Sequence, residues 1–147
     1  MDKGVAVAVA AVVGGLVVTQ APLNSQLGRI VGRVNASAVA LAVSCVALIM
    51  LAALTDGLGG IRNIGDAPLH VAIGGGLAGA LYVGSIVFTV RALGAGGLTA
   101  LTIAGQLGVA MVIDHFGWLG VERSPITVAK VAGVVLLAVG TWLVIRE

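Results

Sequence analysis

The sequence predicts an all-α integral membrane protein whose single transmembrane domain, residues 1–147, contains five transmembrane helices. The first observation is composition: 59% of the residues are hydrophobic and only 10% are charged, whereas ordinary soluble domains carry about 25% charged residues. The mean hydropathy is +1.16. The second observation is that the apolar residues fall into five stretches, each close to the ~20 residues that a helix needs to cross the hydrocarbon core.

Short segments rich in glycine, proline and charge separate these stretches and predict where the helices begin and end. Asn35 and Ser37 are candidate N-terminal caps of the second helix. Ser124 as cap and Pro125 as first residue begin the fifth, and Gly117 is a natural C-terminal cap of the fourth. The predicted spans are about 5–27, 36–55, 68–90, 97–116 and 125–145.

Several classes of function are disfavoured by what the chain contains. The net charge is only +2, and the cations are scattered among loops, so we expect no nucleic-acid partner. The two His, one Cys and six acidic residues form no pattern of metal ligands, and no phosphate-binding loop is present. We therefore expect no enzyme activity, no cofactor and no bound metal.

Gln106 is the one strongly polar residue inside the fourth predicted span, and it lies near the middle of that span. A carboxamide at this depth needs a hydrogen-bonding partner, because hydrocarbon offers none. The partner would be another helix, water or a passing solute. The small residues Gly105 and Gly108 on either side would allow another helix to approach closely.

The first span carries a second polar group, formed by Gln20 and Asn24. Pro22 between them removes a backbone donor and predicts a kink. Because Gln20 and Asn24 are four residues apart, their amides share one helix face. They would line a cavity wall or hydrogen-bond neighbouring helices; Asn24 is nearer the membrane surface, which favours helix packing.

The third span combines a glycine pattern with one tyrosine. Gly75 and Gly79 are four residues apart, and Gly84 belongs to a second row of small residues with the same spacing. This pattern is typical of closely packed membrane helices. The hydroxyl of Tyr82 lies at mid-depth and also needs a partner. Hydrogen bonding between helices is favoured for Tyr82 over contact with a ligand.

Asp114 and His115 lie at the end of the fourth span, where they would form a proton relay or be ordinary solvated groups. Ionisable groups within a membrane are usually functional. The position at the end of the span, where water is available, favours the second interpretation.

Lys and Arg residues are balanced between the two sides of the predicted topology. An excess of these residues in short loops orients a membrane protein, and here the count is four against four. We therefore expect the chain to insert in both orientations and to form an antiparallel homodimer, an arrangement that places a site at the midplane of an inverted repeat. A heteromeric partner of fixed opposite orientation is the alternative. The two sets are Lys3, Arg62, Arg123 and Lys130 on the N-terminal side, and Arg29, Arg33, Arg91 and Arg146 opposite.

These residues together resemble the YdcZ-type (DUF606) branch of the drug/metabolite transporter (DMT) superfamily, over essentially the whole chain. The resemblance implies a half-length, five-span protein of the bacterial inner membrane whose pairing recreates the ten-helix DMT transporter fold. It also implies export of a small molecule, with Gln20, Asn24, Tyr82 and Gln106 as cavity residues. The matching residues are Gln20, Asn24, Gly74, Gly75, Gly79, Tyr82, Val83, Gly105, Gln106, Asp114, His115, Phe116, Gly117, Gly133 and Gly140.

The leading functional hypothesis is therefore an exporter that works by alternating access around a midplane cavity. Carboxamides both donate and accept hydrogen bonds, which suits a polar neutral or zwitterionic solute. The alternatives are a passive channel, which would need a continuous polar stripe, and a membrane subunit that packs without transporting. The partners expected are a second copy, the lipid bilayer and the small-molecule substrate.

Overall fold

The computed structural model describes residues 2–55 and 57–146, and the regular structure within these ranges is entirely helical. Four α-helices are long and apolar enough to cross a membrane, which confirms the predicted all-α class. Two short 3₁₀ segments, Leu58–Asp66 and Trp118–Gly120, lie in the connections. The helices are α1 (Lys3–Val31), α2 (Arg33–Leu54), α3 (Leu69–Phe116) and α4 (Val128–Ile145).

Helix α3 is interrupted at Gly94. Its 48 residues would extend about 70 Å as one straight helix, more than twice the ~30 Å hydrocarbon core. Gly94 has φ 68° and ψ 172°, a backbone conformation that glycine adopts readily and other residues avoid. Where the sequence predicts a connection over 91–96, the chain is therefore helical on both sides of one glycine, in the stretches 69–93 and 95–116.

The chain divides into two compact units close to this break, Met1–Ala92 and Leu93–Glu147. In unit 1, α1 and α2 form a helical hairpin that reverses at Gly32, where φ is 91°. The C-terminal part of α1, the start of α2 and the end of stretch 69–93 pack together. Their buried apolar residues are Ala21, Ala36, Val83, Ile86, Val87 and Val90.

Unit 2 is a second hairpin, formed by stretch 95–116 and α4. The hydroxyl of Thr141 donates a hydrogen bond to the carbonyl of Ala100 at 3.2 Å. A Cβ at Gly97 would lie 3.5 Å from Cγ1 of Ile145, which is ordinary van der Waals contact. Stretch 95–116 and α4 therefore meet where the first begins and the second ends.

Several predicted helix ends are shifted in the structure. Helix α4 begins at Val128 and its N-terminal cap is Thr127, whose side chain accepts from the Lys130 N–H. The prediction of Ser124 as cap and Pro125 as first residue was wrong. Ser124 is bonded elsewhere, since its N–H donates to the carbonyl of Asp114 at 2.8 Å. Gly117 follows α3 in the left-handed conformation, φ 67° and ψ 35°, and this predicted cap is confirmed.

The ends of α1 and α2 are also shifted. Helix α1 continues through Pro22 and reaches Val31, so that only Gly32 separates it from Arg33, the first residue of α2. Asn35 consequently lies inside the first turn of α2 and is not its cap. Its side-chain amide donates to the carbonyl of Val31 at 2.8 Å, which ties the start of α2 to the end of α1.

Candidate functional site

A polar cluster ties the three helical segments of unit 1 together near the Gly32 turn. Nε of Arg91 donates to the hydroxyl oxygen of Ser25 at 3.2 Å, and Nη2 of Arg91 donates to the carbonyl of Ser25, also at 3.2 Å. Ser25 is only 7% exposed. Because charge-assisted hydrogen bonds are stronger than neutral ones, this pair holds the end of stretch 69–93 against α1.

Ser37 makes the corresponding connection from α2. Its hydroxyl lies 3.3 Å from the carbonyl oxygen of Val83 and 3.3 Å from that of Arg33, so its single proton is shared between the two acceptors. Gly28 lies at the same junction, where a Cβ would be 3.3 Å from Cγ1 of Val87 and 3.4 Å from Cα of Arg33. The three segments can approach this closely because position 28 has no side chain.

Asn24 lies beside Ser25 on α1 and is 8% exposed. Its side-chain nitrogen Nδ2 is buried and has no hydrogen-bond partner among the described residues. An unsatisfied buried donor costs about 1–3 kcal/mol. Of the four residues that the sequence singles out for solute binding, Asn24 is the one that unit 1 buries.

Gln20 and Tyr82 are the other two such residues in unit 1, and both are half-buried. Gln20 lies one helical turn before Asn24, on the same face of α1. Tyr82 directly precedes Val83, whose carbonyl accepts from Ser37. The structure thus places these two and Asn24 within one unit, on α1 and stretch 69–93.

Gln106 lies in unit 2, near the middle of stretch 95–116, and its side chain is exposed. Its carboxamide makes no hydrogen bond to another described residue. It is therefore a polar group on the surface of an apolar helix, at a depth where lipid would give it no partner.

Asp114 and His115 are half-buried at the end of α3, and the following segment folds back onto them. The N–H of Ile126 donates to Nδ1 of His115 at 3.4 Å, and Nε of Arg123 donates to the His115 carbonyl at 3.0 Å. These two bonds fix the segment 123–126 against the end of α3. The proton-relay role of Asp114 and His115 stays a prediction.

Lys130, in the first turn of α4, binds the same segment. Its Nζ donates to the hydroxyl of Ser124 at 2.8 Å, to the carbonyl of Ser124 at 3.2 Å and to the carbonyl of Pro125 at 3.1 Å. The ammonium group of Lys130 therefore binds the connection between α3 and α4, and it supplies hydrogen bonds to two carbonyls that precede α4.

The glycines predicted to pack helices have open space around them within their own units. A Cβ built at any of these positions would meet no atom within 4 Å, unlike one at Gly28 or Gly97. None of these glycines therefore packs closely against a neighbouring helix of its own unit. The five positions are Gly75, Gly79, Gly84, Gly105 and Gly108.

Comparison with known proteins assigns the chain to a family. The family model described as "Putative inner membrane exporter, YdcZ" matches residues 5–143. The chain belongs to the YdcZ family. No curated protein and no solved structure matches it. Family membership and four long apolar helices make this YdcZ protein a multi-pass inner-membrane protein of the transporter type.

The sequence did not predict the contacts that connect unit 1 of this YdcZ protein. Ser37 was predicted as a cap of α2, which was wrong because it is the fifth residue of that helix. Ser25 and Gly28 were assigned no role, and Arg91 was considered only as one of the charged residues. The sequence does show that Arg91 directly follows a long apolar stretch. An arginine at such a position needs a hydrogen-bond acceptor near the membrane surface. Nothing local to Arg91 indicates that its acceptor is Ser25, 66 residues away.

Replacing Asn24 with leucine should leave the thermal stability of this YdcZ protein unchanged or raise it, because the substitution removes a buried donor that has no partner. Ser25→Ala is the matched control on the neighbouring position. It should lower stability by about 1 kcal/mol, since it removes an acceptor of Arg91. Unfolding in detergent followed by circular dichroism measures both. A larger loss for Asn24→Leu than for Ser25→Ala would show that Asn24 has a partner, such as water or a bound solute.

Proposed function

We propose that this protein exports a small polar solute as a dual-topology, antiparallel homodimer that works by alternating access. The observation that carries the proposal is the exposed carboxamide of Gln106 near the middle of stretch 95–116. An amide or hydroxyl that faces hydrocarbon without a partner costs several kcal/mol. A second protein surface or a water-filled cavity therefore covers Gln106 in the membrane.

The second copy is inverted, and the number of spans supports this. Gly94 divides α3 into two stretches that each approximate the thickness of the hydrocarbon core, so we count five spans per chain: α1, α2, 69–93, 95–116 and α4. An odd number places the termini on opposite sides. Two inverted copies then form the inverted repeat around which secondary transporters place their substrate site.

The glycines with open space support the same arrangement. Gly75, Gly79 and Gly84 lie on one span and Gly105 and Gly108 on another, and a Cβ at any of them would meet no described atom of its own unit within 4 Å. Small residues on membrane helices allow backbones to approach closely. We assign these two faces to contacts with the partner copy.

The solute is polar and neutral or zwitterionic. The side chains proposed to bind it are Gln106, Gln20, Asn24 and Tyr82, which offer donors and acceptors but no net charge. Asp114, near the end of α3, is the one carboxylate within the described α-helices. Exchange of protons for a cation at a deeply buried acid is therefore not part of the proposal, and any proton coupling falls to Asp114 and His115.

Dual topology is tested by fusing either alkaline phosphatase or green fluorescent protein to the C-terminus. The first is active only outside the inner membrane and the second only inside, and we expect both signals from the wild-type chain. Arg29→Gln with Arg33→Gln should raise the phosphatase signal and reduce fluorescence, because the remaining excess of cations keeps the N-terminal side inside. Lys3→Gln with Arg62→Gln is the matched control and should shift both signals the opposite way. A single signal from the wild type would contradict the proposal.

A further inference from the structure

Three arginines surround the Gly32 turn of unit 1. The guanidinium carbon of Arg33 lies 5.1 Å from the centre of the Phe88 ring. Phe88 and Arg91 are three residues apart on stretch 69–93, which places them on the same helix face. Arg33 and Arg91 therefore lie on the same side of the junction between α2 and stretch 69–93.

Arg29, on α1, is the third arginine beside Arg33 and Arg91. Arg91 donates to the side chain and to the carbonyl of Ser25, and Ser25 and Arg29 are four residues apart on α1, again on one face. Arg29 lies in the last turn of α1, directly before the turn that leads to Arg33. We call Arg29, Arg33 and Arg91 the arginine cluster; all three side chains are exposed.

No described carboxylate of unit 1 neutralises the positive charge of the arginine cluster. Among the described residues of this unit the carboxylates are Asp2 and Asp66, and no ion pair joins either to the cluster. Asp2 precedes α1, whose 29 residues separate it from the cluster by about 40 Å. Asp66 precedes α3, at the opposite end of stretch 69–93 from Arg91.

The start of α2 offers free N–H groups beside the arginine cluster. Its N-terminal cap is Gly32, which supplies no side-chain hydrogen bond to the first turn. The N-terminus of a helix carries partial positive charge and free N–H groups. Arg33 is the first residue of α2, so a full positive charge lies at the positive end of the helix, where an anion would stabilise both.

We propose that the arginine cluster binds the headgroup phosphate of an anionic phospholipid. All three arginines lie within about one turn of a break or an end of a membrane-spanning helix, which is the level of the lipid headgroups. Guanidinium groups bind phosphate oxygens through paired, charge-assisted hydrogen bonds. Basic pockets between membrane helices are sites for acidic lipid headgroups. This inference concerns unit 1 alone and does not depend on the proposed transport function.

Native mass spectrometry of the full-length protein in detergent, titrated with dioleoylphosphatidylglycerol, tests the proposal. We expect one tightly bound phosphatidylglycerol per chain and much weaker binding of dioleoylphosphatidylcholine, which has the same acyl chains and no net charge. Arg29→Gln with Arg33→Gln should weaken phosphatidylglycerol binding roughly 25-fold, taking about fivefold for each arginine. This pair leaves the bond between Arg91 and Ser25 intact, so the fold of unit 1 is kept, which circular dichroism checks.

The matched control is Lys3→Gln with Arg62→Gln, which removes the same charge outside the cluster and should leave affinity unchanged. Equal weakening by the two pairs would overturn the site, because net charge would then explain the binding. Equal affinity of wild type for the two lipids would also overturn it. Displacement of the lipid by millimolar inorganic phosphate or glycerophosphoglycerol would show that the cluster takes a free anion and would overturn the assignment to a lipid.

Discussion

Gln106→Leu should reduce solute flux into liposomes by about 10- to 100-fold while the dimer and its stability survive. This range corresponds to the loss of one hydrogen bond of roughly 1.5–3 kcal/mol between the carboxamide and a charged group of a zwitterionic solute. Leucine is of similar size and is compatible with the surface of stretch 95–116, so the change removes the carboxamide without creating a clash. Purified protein is reconstituted, screened with a panel of small polar solutes, and the variant is then assayed on the solute that the wild type transports.

Gln26→Leu is the matched control for this prediction. Gln26 is also exposed, but it lies near the C-terminal end of α1, where water is available to its amide. The same chemical change there should leave flux at the wild-type level. Normal flux and a raised thermal stability for Gln106→Leu would instead assign Gln106 to a helix seam and favour a packing subunit. Flux that fails to saturate with solute concentration in the wild type would favour a passive channel.

Gly28→Leu should destabilise the chain by about 1–3 kcal/mol, the usual cost of forcing a side chain into a closely packed site. The new Cβ would lie 3.3 Å from Cγ1 of Val87 and 3.4 Å from Cα of Arg33. Val87 is fully buried and the Arg33 atom is backbone, so neither moves easily. Helix α1 would have to separate from α2 and from stretch 69–93.

Gly14→Leu on the same helix is the control, because a Cβ at Gly14 would meet nothing within 4 Å. Both variants gain the same helix propensity from the loss of glycine, so their difference measures packing alone. Thermal unfolding in detergent should show a lowered midpoint for Gly28→Leu only. Equal midpoints for the two variants would contradict the junction between α1, α2 and stretch 69–93.

Much of the architecture follows from local properties of the chain. Apolar stretches of the right length predict membrane helices because backbone groups in hydrocarbon must bond within their own segment. Gly117 was predicted as a cap because the left-handed conformation after a helix strongly favours glycine. The cap of α4 was not predicted correctly, since Ser124 and Thr127 are both good caps and local sequence does not show that the chain stays non-helical through 121–127.

The candidate site was likewise predicted only in part from the sequence. Sequence alone identified Gln106, Gln20, Asn24 and Tyr82 as polar groups within apolar stretches, because their cost in hydrocarbon depends only on residue type and depth. It did not indicate that Asn24 would be buried and Gln106 exposed, since that depends on how each helix is rotated about its axis.

The sequence by itself determined that this is a helical, multi-span membrane protein with a few isolated amides, because hydropathy is a sum over neighbouring residues. Only the tertiary structure decided that Gly28 packs closely while Gly79 has no close neighbour within unit 1, and that Arg91 bonds to Ser25. A rotation of a helix by one residue exchanges such contacts, and in an almost uniformly apolar chain the residue pattern gives little indication of that rotation.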